Sequence, residues 1–226
     1  MEKGAAMTTL VLSPHPDDEI LGVGGTIAKL ADEGHSVHVV VVTKGDDLFD
    51  PQFIEQGRAE ARKAHASLGV AATHFLDEFP AAKLDTVPQY QLNARIGAVI
   101  GDLRPEIVYI PFAGDLHRDH QTVAEAAMVA CRPIDGSSVR QVLAYETLSE
   151  TNWNAPGITP AFAPNVFNDV TDTLQRKLEA MTCFSSQLRP FPHERSLEAV
   201  EHLARLRGAT AGVAAAEAFV LLRWIQ

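Results

Sequence analysis

The run His15-Pro16-Asp17-Asp18-Glu19 places an imidazole and three carboxylates within five residues, directly after the apolar stretch Leu10-Val11-Leu12. A second polar cluster, His117-Arg118-Asp119-His120, follows the apolar stretch Ile107-Val108-Tyr109-Ile110 and opens a helical pattern. An imidazole nitrogen and a carboxylate oxygen suit zinc or another divalent transition metal. His15 and Asp18 stand three apart and share a direction if the chain turns helical after Pro16. With His120 as third ligand, one coordination position stays open for water, which separates a catalytic zinc from a closed structural one. Asp17, beside a ligand but directed elsewhere, is free to take a proton from that water. His117, one helical turn before His120, is close enough to donate a hydrogen bond or a proton.

Duller readings exist for each piece. Asp and Glu favour the first turn of a helix, so the first run also reads as an Asx-turn with capping carboxylates. The two histidines of the second cluster read as a polar helix start. Coincidence favours the metal: both clusters fall where a strand ends and a helix begins, the place where open α/β sheets put their binding crevice. A non-enzymic nucleotide-binding module is suggested by Gly22, Gly24 and Gly25, but Ile27 breaks the GxGxxG pattern and the acidic run intervenes. A metal-dependent phosphoesterase would use Asp17, Asp18, Glu19, Asp115 and Asp119 to hold two ions; against it, no Lys or Arg group clusters beside the first run to hold a phosphate.

The segment Ser13-Pro14-His15-Pro16-Asp17-Asp18-Glu19, with Gly22, Gly24, Gly25 and Thr26 behind it, and the segment Asp115-Leu116-His117-Arg118-Asp119-His120 together resemble the PIG-L/LmbE family of zinc-dependent de-N-acetylases. Weaker similarity extends through Arg58-Ala59-Glu60, Leu68-Gly69, Phe75-Leu76-Asp77, Arg104-Pro105 and the stretch from Lys177 to Ser186-Gln187. The resemblance implies hydrolysis of the N-acetyl group of an N-acetylglucosamine-type amino sugar or sugar conjugate. It makes His15, Asp18 and His120 the ligands of Zn2+, Asp17 the general base, and His117 the group that stabilises the oxyanion or protonates the amine. It assigns Arg58 and Asp77 to substrate binding. Asp119, beside both histidines, is expected to orient one imidazole, and relatives suggest a homo-oligomer. Three departures stand out: Arg118 where the family has Pro, Asp115 where some members carry Tyr, and Phe184 where a His is often seen.

Those residues need a scaffold. The 226 residues suffice for one core, and 46% hydrophobic with 21% charged content reads as an ordinary globular chain. Strand and helix patterns alternate, which predicts a single α/β domain over residues 1–226, Rossmann-like in three layers with a mainly parallel central sheet. Strands are expected at Leu10–Leu12, Ser36–Thr43, Ala72–Leu76, Ile107–Ile110, Gln141–Glu146 and Val166–Val170. Helices are expected at Gly25–Glu33, Phe53–Leu68, Gln89–Arg104, Thr122–Ala130 and Thr171–Cys183, the last capped by Thr171 or Asp169. Gly34 and Gly69 read as helix stops. Ser196–Arg207 and Ala214–Trp224 read as apolar packing segments. The stretch Leu148–Pro164 reads as a loop over the site, and with Gly45–Phe53 it is expected to choose the substrate's remaining half.

A net charge of −10 argues against nucleic-acid or anionic-membrane partners. Met1 to Ala6 is too polar and short for a secretory signal, and no apolar run approaches the roughly 18 residues of a membrane span, so a cytoplasmic location is expected. Cys131 and Cys183 lack CxxC spacing and read as small packed hydrophobes. Trp153 reads either as a sugar-stacking residue or as a packing anchor, and His193 as a solvated loop residue. His35, His38, His65, His74 and His202 read as structural or surface residues.

Overall fold

The computed structural model describes residues 6–134, 136–155 and 157–226. Residues 1–5, Asp135 and Pro156 lie outside it, and so do the expectations placed on them. Seven strands form one sheet: β1 (Thr8–Ser13), β2 (Ser36–Val41), β3 (Ala72–Phe75), β4 (Ile107–Pro111), β5 (Gln141–Tyr145), β6 (Val166–Asp169) and β7 (Ala216–Trp224), in the order β3-β2-β1-β4-β5-β7-β6. The first five are parallel, and β7 runs antiparallel to both β5 and β6.

Alternation along the strands builds the layers. Leu10, Leu12, Val40, Val42, Val108, Ile110, Val142 and Ala144 face one way, onto α3 (Gln89–Leu103) and α4 (Arg118–Ala130). Val11, Val39, Val41, Tyr109, Leu143 and Tyr145 face the other way, onto α1 (Asp18–Asp32), α2 (Pro51–Leu68), α5 (Leu174–Thr182) and α6 (Leu197–Ala211). The Val39–Val42 run is apolar throughout because both of its faces are covered.

The expected strands and most helices occur, with three corrections. Helix α1 starts at Asp18 rather than Gly25, because the acidic pair Asp18 and Glu19 occupies its first turn, where the helix dipole favours negative charge. Its glycines serve packing, since a Cβ on Gly22 would sit 2.3 Å from Tyr145 Cδ2 and one on Gly25 would sit 2.9 Å from Val170 Cβ. The caps expected for α5 lie one turn too early: Asp169 Oδ1 accepts from Thr171 N and Oγ1, while the helix begins after Thr173. The C-terminal apolar segment is strand β7, inserted between β5 and β6. Helix α2 starts at Pro51 with Asp50 accepting from Gln52 N at 2.7 Å, and both expected glycine stops are found in the left-handed region, Gly34 at φ 90° and Gly69 at φ 82°. Both cysteines are free, Cys131 being buried. Among the described residues no helix is long and apolar enough to cross a membrane.

From β1 the chain proceeds outward through β2 and β3, and β4 and β5 are added on the opposite side. The carboxyl ends of β1 and β4 are therefore the point where the strand order reverses and a crevice opens. His15 follows β1 and His117 follows β4.

Candidate metal centre and active site

Two sequence-distant clusters meet in that crevice. His15 Nδ1 lies 3.2 Å and His120 Nε2 lies 3.1 Å from the same oxygen, Asp18 Oδ2. Each imidazole is held by a carboxylate on its other nitrogen: His15 Nε2 donates to Asp119 Oδ2 at 2.9 Å, and His120 Nδ1 donates to Asp115 Oδ2 at 2.9 Å. These outer contacts turn His15 Nδ1 and His120 Nε2 toward Asp18, as ligand-orienting carboxylates do. Asp119 is itself fixed by Ala82 N and Leu84 N, and Asp115 by the Thr151 hydroxyl at 2.6 Å.

The fit for a cation rests on two orphans. Asp18 Oδ1 and His120 Nε2 are buried and have no hydrogen-bond partner among the described residues; the approach of Nε2 to Asp18 Oδ2 is close but not aligned as a hydrogen bond. Buried polar atoms without partners are costly, and one acceptor oxygen beside one imidazole nitrogen is a donor set for a divalent transition metal. His15, Asp18 and His120 thus form a group able to hold such an ion. A second group, His15, His117 and Asp119, has ligand atoms as close together, but the Asp119 oxygens already serve two backbone N–H groups and His15.

The protonation pattern shows how strongly the centre attracts positive charge. Burial opposes a charge on His15, yet its bonds to Asp119 and Asp18 push its pKa up to about 9. Burial opposes charge on His120 too, and Asp18 and Asp115 carry it up to about 10. Burial alone would raise Asp18, but His120 and His15 hold it well below the usual carboxylate range.

Asp17 is set apart from the ligands. Its φ of 109° is rare for a residue with a side chain, and such strain persists only where surrounding contacts over-determine it. Glu19 Oε2 accepts from Asp17 N at 3.2 Å and from Ser13 Oγ at 2.6 Å, and Glu19 Oε1 meets His65 Nε2 at 2.8 Å. Glu19 thus braces the turn that carries Asp17, and His65 has a buried acidic partner. The Asp17 carboxylate receives Arg195 Nη1 at 3.0 Å. Burial pushes the Asp17 pKa up to about 8 against the pull of Arg195.

His117 is the N-cap of α4, where its Nδ1 accepts from Asp119 N at 3.1 Å. Its proton therefore sits on Nε2. Burial, helped by the charge on His15, lowers its pKa to about 4, so the ring is a neutral N–H donor near pH 7.

A cavity of about 300 Å³ opens over His15, Asp17 and His117. Arg58 lines it and pairs with Asp77, which is exposed, is not part of the lining and also meets Lys44 at 3.6 Å. The expected substrate-binding pair is thus a lining cation held by an outer carboxylate. The loop after β5 contributes Glu150 to the wall and Thr151 to Asp115, while Trp153 and His193 contact each other edge-on at 5.9 Å and neither lines the cavity.

Three residues of the site make contacts that the sequence did not assign to them. Arg195 joins Asp17, Gln187 Oε1 and Ser149 Oγ, each at 3.0 Å, but stands 178 residues from Asp17. Phe184 is fully buried and lines the cavity in place of the histidine of the resemblance. Asp115 is the partner of His120; its place two residues before His117 was visible, but its direction was not.

A family model described as GlcNAc-PI de-N-acetylase matches residues 10–131, the span that holds both clusters. This chain belongs to the PIG-L family. The uncharacterized deacetylase YaiS of Escherichia coli (strain K12) is 34% identical over 171 residues, covering 72% of this chain and 82% of that protein. Diacetylchitobiose deacetylase of Thermococcus kodakarensis is 30% identical over 200 residues, covering 82% and 70%. Among solved structures, the conserved protein TT1542 from Thermus thermophilus superposes with a TM-score of 0.77 at 27% identity, over 97% of this chain and 96% of that one. Family membership gives the cluster a chemical setting: a PIG-L chain with His15, Asp18 and His120 converging on two unpaired buried atoms.

Proposed function

We propose that this PIG-L protein is a zinc-dependent hydrolase that removes the N-acetyl group of an N-acetylglucosamine-type sugar or sugar conjugate. The observation that carries the reading is the pair of unpartnered buried atoms, Asp18 Oδ1 and His120 Nε2, beside His15 at the base of a cavity lined by a strained acid. His15, Asp18 and His120 would hold the ion, which when bound supplies Lewis acidity that makes water a stronger acid and the acetyl carbonyl a better electrophile.

The chain's own groups supply the rest. Asp17 takes the proton of the attacking water; its elevated pKa suits a base that must also return that proton. Arg195 holds one Asp17 oxygen in place and leaves the other free to receive it. The Nε2–H of His117 donates to the developing oxyanion as a neutral group. Collapse of the tetrahedral species needs a proton on the leaving nitrogen, and Asp17 is the group that has just acquired one. Arg58, held by Asp77, positions the sugar.

The test is release of acetate and free amine from a panel of N-acetylated sugars and conjugates by zinc-loaded protein, with His120→Ala as comparison. Turnover by the wild type and loss of both zinc and turnover in His120→Ala are expected. No acetate from any amino sugar, or full zinc occupancy in His120→Ala, would overturn the reading.

A further inference from the structure

His65, on α2, is buried away from the cavity, and both of its ring nitrogens are in use. Nε2 donates to Glu19 Oε1 of α1 at 2.8 Å, and Nδ1 meets the Thr73 hydroxyl of β3 at 2.8 Å. The other Glu19 oxygen, Oε2, accepts from Asp17 N at 3.2 Å and from Ser13 Oγ at 2.6 Å, and the same Ser13 hydroxyl lies 2.7 Å from His15 O. Hydrogen bonds therefore run without a break from β3 through α2 and α1 to the backbone that carries His15 and Asp17. Among the described residues, His65 is the only side chain from outside residues 13–19 that hydrogen-bonds Glu19.

What this path holds is a strained turn. A residue with a Cβ leaves a φ of 109° unless its contacts keep it there. The Asp17 carbonyl accepts from Ile20 N at 3.0 Å and Leu21 N at 2.9 Å, bonds that any helix start offers to the residue before it. Its N–H has Glu19 Oε2 as its acceptor among the described residues. Rotation about φ redirects the side chain, so holding that N–H holds the direction of the Asp17 carboxylate. Glu19 can hold it only while its own carboxylate is fixed, and a buried carboxylate bonded at both oxygens has a single setting. Without a donor at Oε1 that setting is lost.

We propose that His65 is a positioning residue for deacetylation: it fixes the Glu19 carboxylate, which holds the Asp17 N–H and with it the direction of the base. This rests on the deacetylase reading above, in which Asp17 takes the proton of water, and adds a residue of α2 to that machinery. The experiment compares three variants. His65→Gln keeps a donor where Nε2 lies, His65→Asn keeps one only where Nδ1 lies, and His65→Leu keeps neither. Each is measured for zinc content, for kcat and KM on the methyl glycoside of N-acetylglucosamine, and, after chelator treatment, for hydrogen exchange of the Asp17 amide by NMR. The Asn and Leu variants should keep zinc and KM and lose about tenfold or more in kcat, since a reacting group misplaced by about 1 Å can cost about 10²-fold. Their Asp17 amide should exchange about tenfold faster than in the wild type, with little change in the interior of α1 and α2. His65→Gln should recover most of both losses. Equal behaviour of the Gln and Asn variants, a wild-type kcat in His65→Asn, or exchange that quickens throughout α1 and α2 with no excess at Asp17 would show that His65 only packs the core, and would overturn the proposal. The Gln and Asn pair decides the matter even where His65→Leu fails to fold. If the wild type turns over no amino sugar, the deacetylase reading falls, while the Asp17 amide still reports whether His65 holds this turn.

Discussion

Replacing Asp115 with Ala spares the three proposed ligands and the cavity wall, yet it should weaken zinc binding markedly. Asp115 accepts the Nδ1–H of His120 at 2.9 Å, and both side chains are fully buried. Without it the buried imidazole N–H loses its acceptor, a penalty of about 1–3 kcal/mol, or roughly 5- to 150-fold in an equilibrium constant. Loss of a carboxylate that orients a metal-binding histidine typically costs about 10- to 100-fold in affinity. The two estimates, one from desolvation and one from ligand orientation, overlap at about 10- to 100-fold. The assay is competition for zinc against a chromogenic chelator at neutral pH, with Asp115→Asn beside it. Asn can still accept from Nδ1 but carries no charge, so its loss should be smaller. Because Asp115 does not line the cavity, saturating zinc should restore most of the turnover. An affinity within twofold of the wild type, or a loss as complete as that of His120→Ala, would refute the idea that Asp115 acts by holding the imidazole.

Three further outcomes are expected. Asp17→Asn should keep its zinc, measured by elemental analysis, and lose about 10²- to 10⁴-fold in turnover, the usual worth of a positioned base; a zinc-free variant would show Asp17 to be a ligand. In the metal-free protein His15 and His120 have folded pKa values raised to about 9 and about 10 from 6.5, so the folded state binds more protons than the unfolded one across that interval. Their stabilisation is complete below about pH 6.5 and is lost as pH rises through 9 to 10, so the melting temperature of chelator-treated protein should fall over that window, and a flat or rising profile in scanning fluorimetry would contradict the assignment. Gly22→Ala should lower stability by about 1–3 kcal/mol in urea denaturation, because the added carbon meets Tyr145, whose hydroxyl is tied to Leu12 O at 2.9 Å. A neutral effect would mean that α1 can shift away from the sheet.

How much could be read in advance depended on how local the determinant is. The two polar clusters were legible because chemically potent side chains stand within a few residues of one another at the ends of apolar runs, and strand and helix periods reveal themselves within a short window. His15, Asp18 and His120 come together in the structure, and Gly34 and Gly69 stop their helices as read. Even the departure at Asp115 was visible as a residue, though its partner was not.

Tertiary structure decided what no window contains. The sheet order places β1 beside β4, and only that adjacency turns two strand-end clusters into one centre. Arg195 reaches Asp17 because α5 packs against α1 and α2 and the chain then returns over the cavity, so an arginine that is unremarkable in its own segment becomes the partner of the strained acid. The same holds for Phe184 and Glu150 in the cavity wall and for β7, whose apolar run reads equally well as helix or strand until β5 and β6 supply edges to pair with. Side-chain type and local period are written in the chain; partners separated by many tens of residues are chosen by burial and backbone pairing across the whole fold.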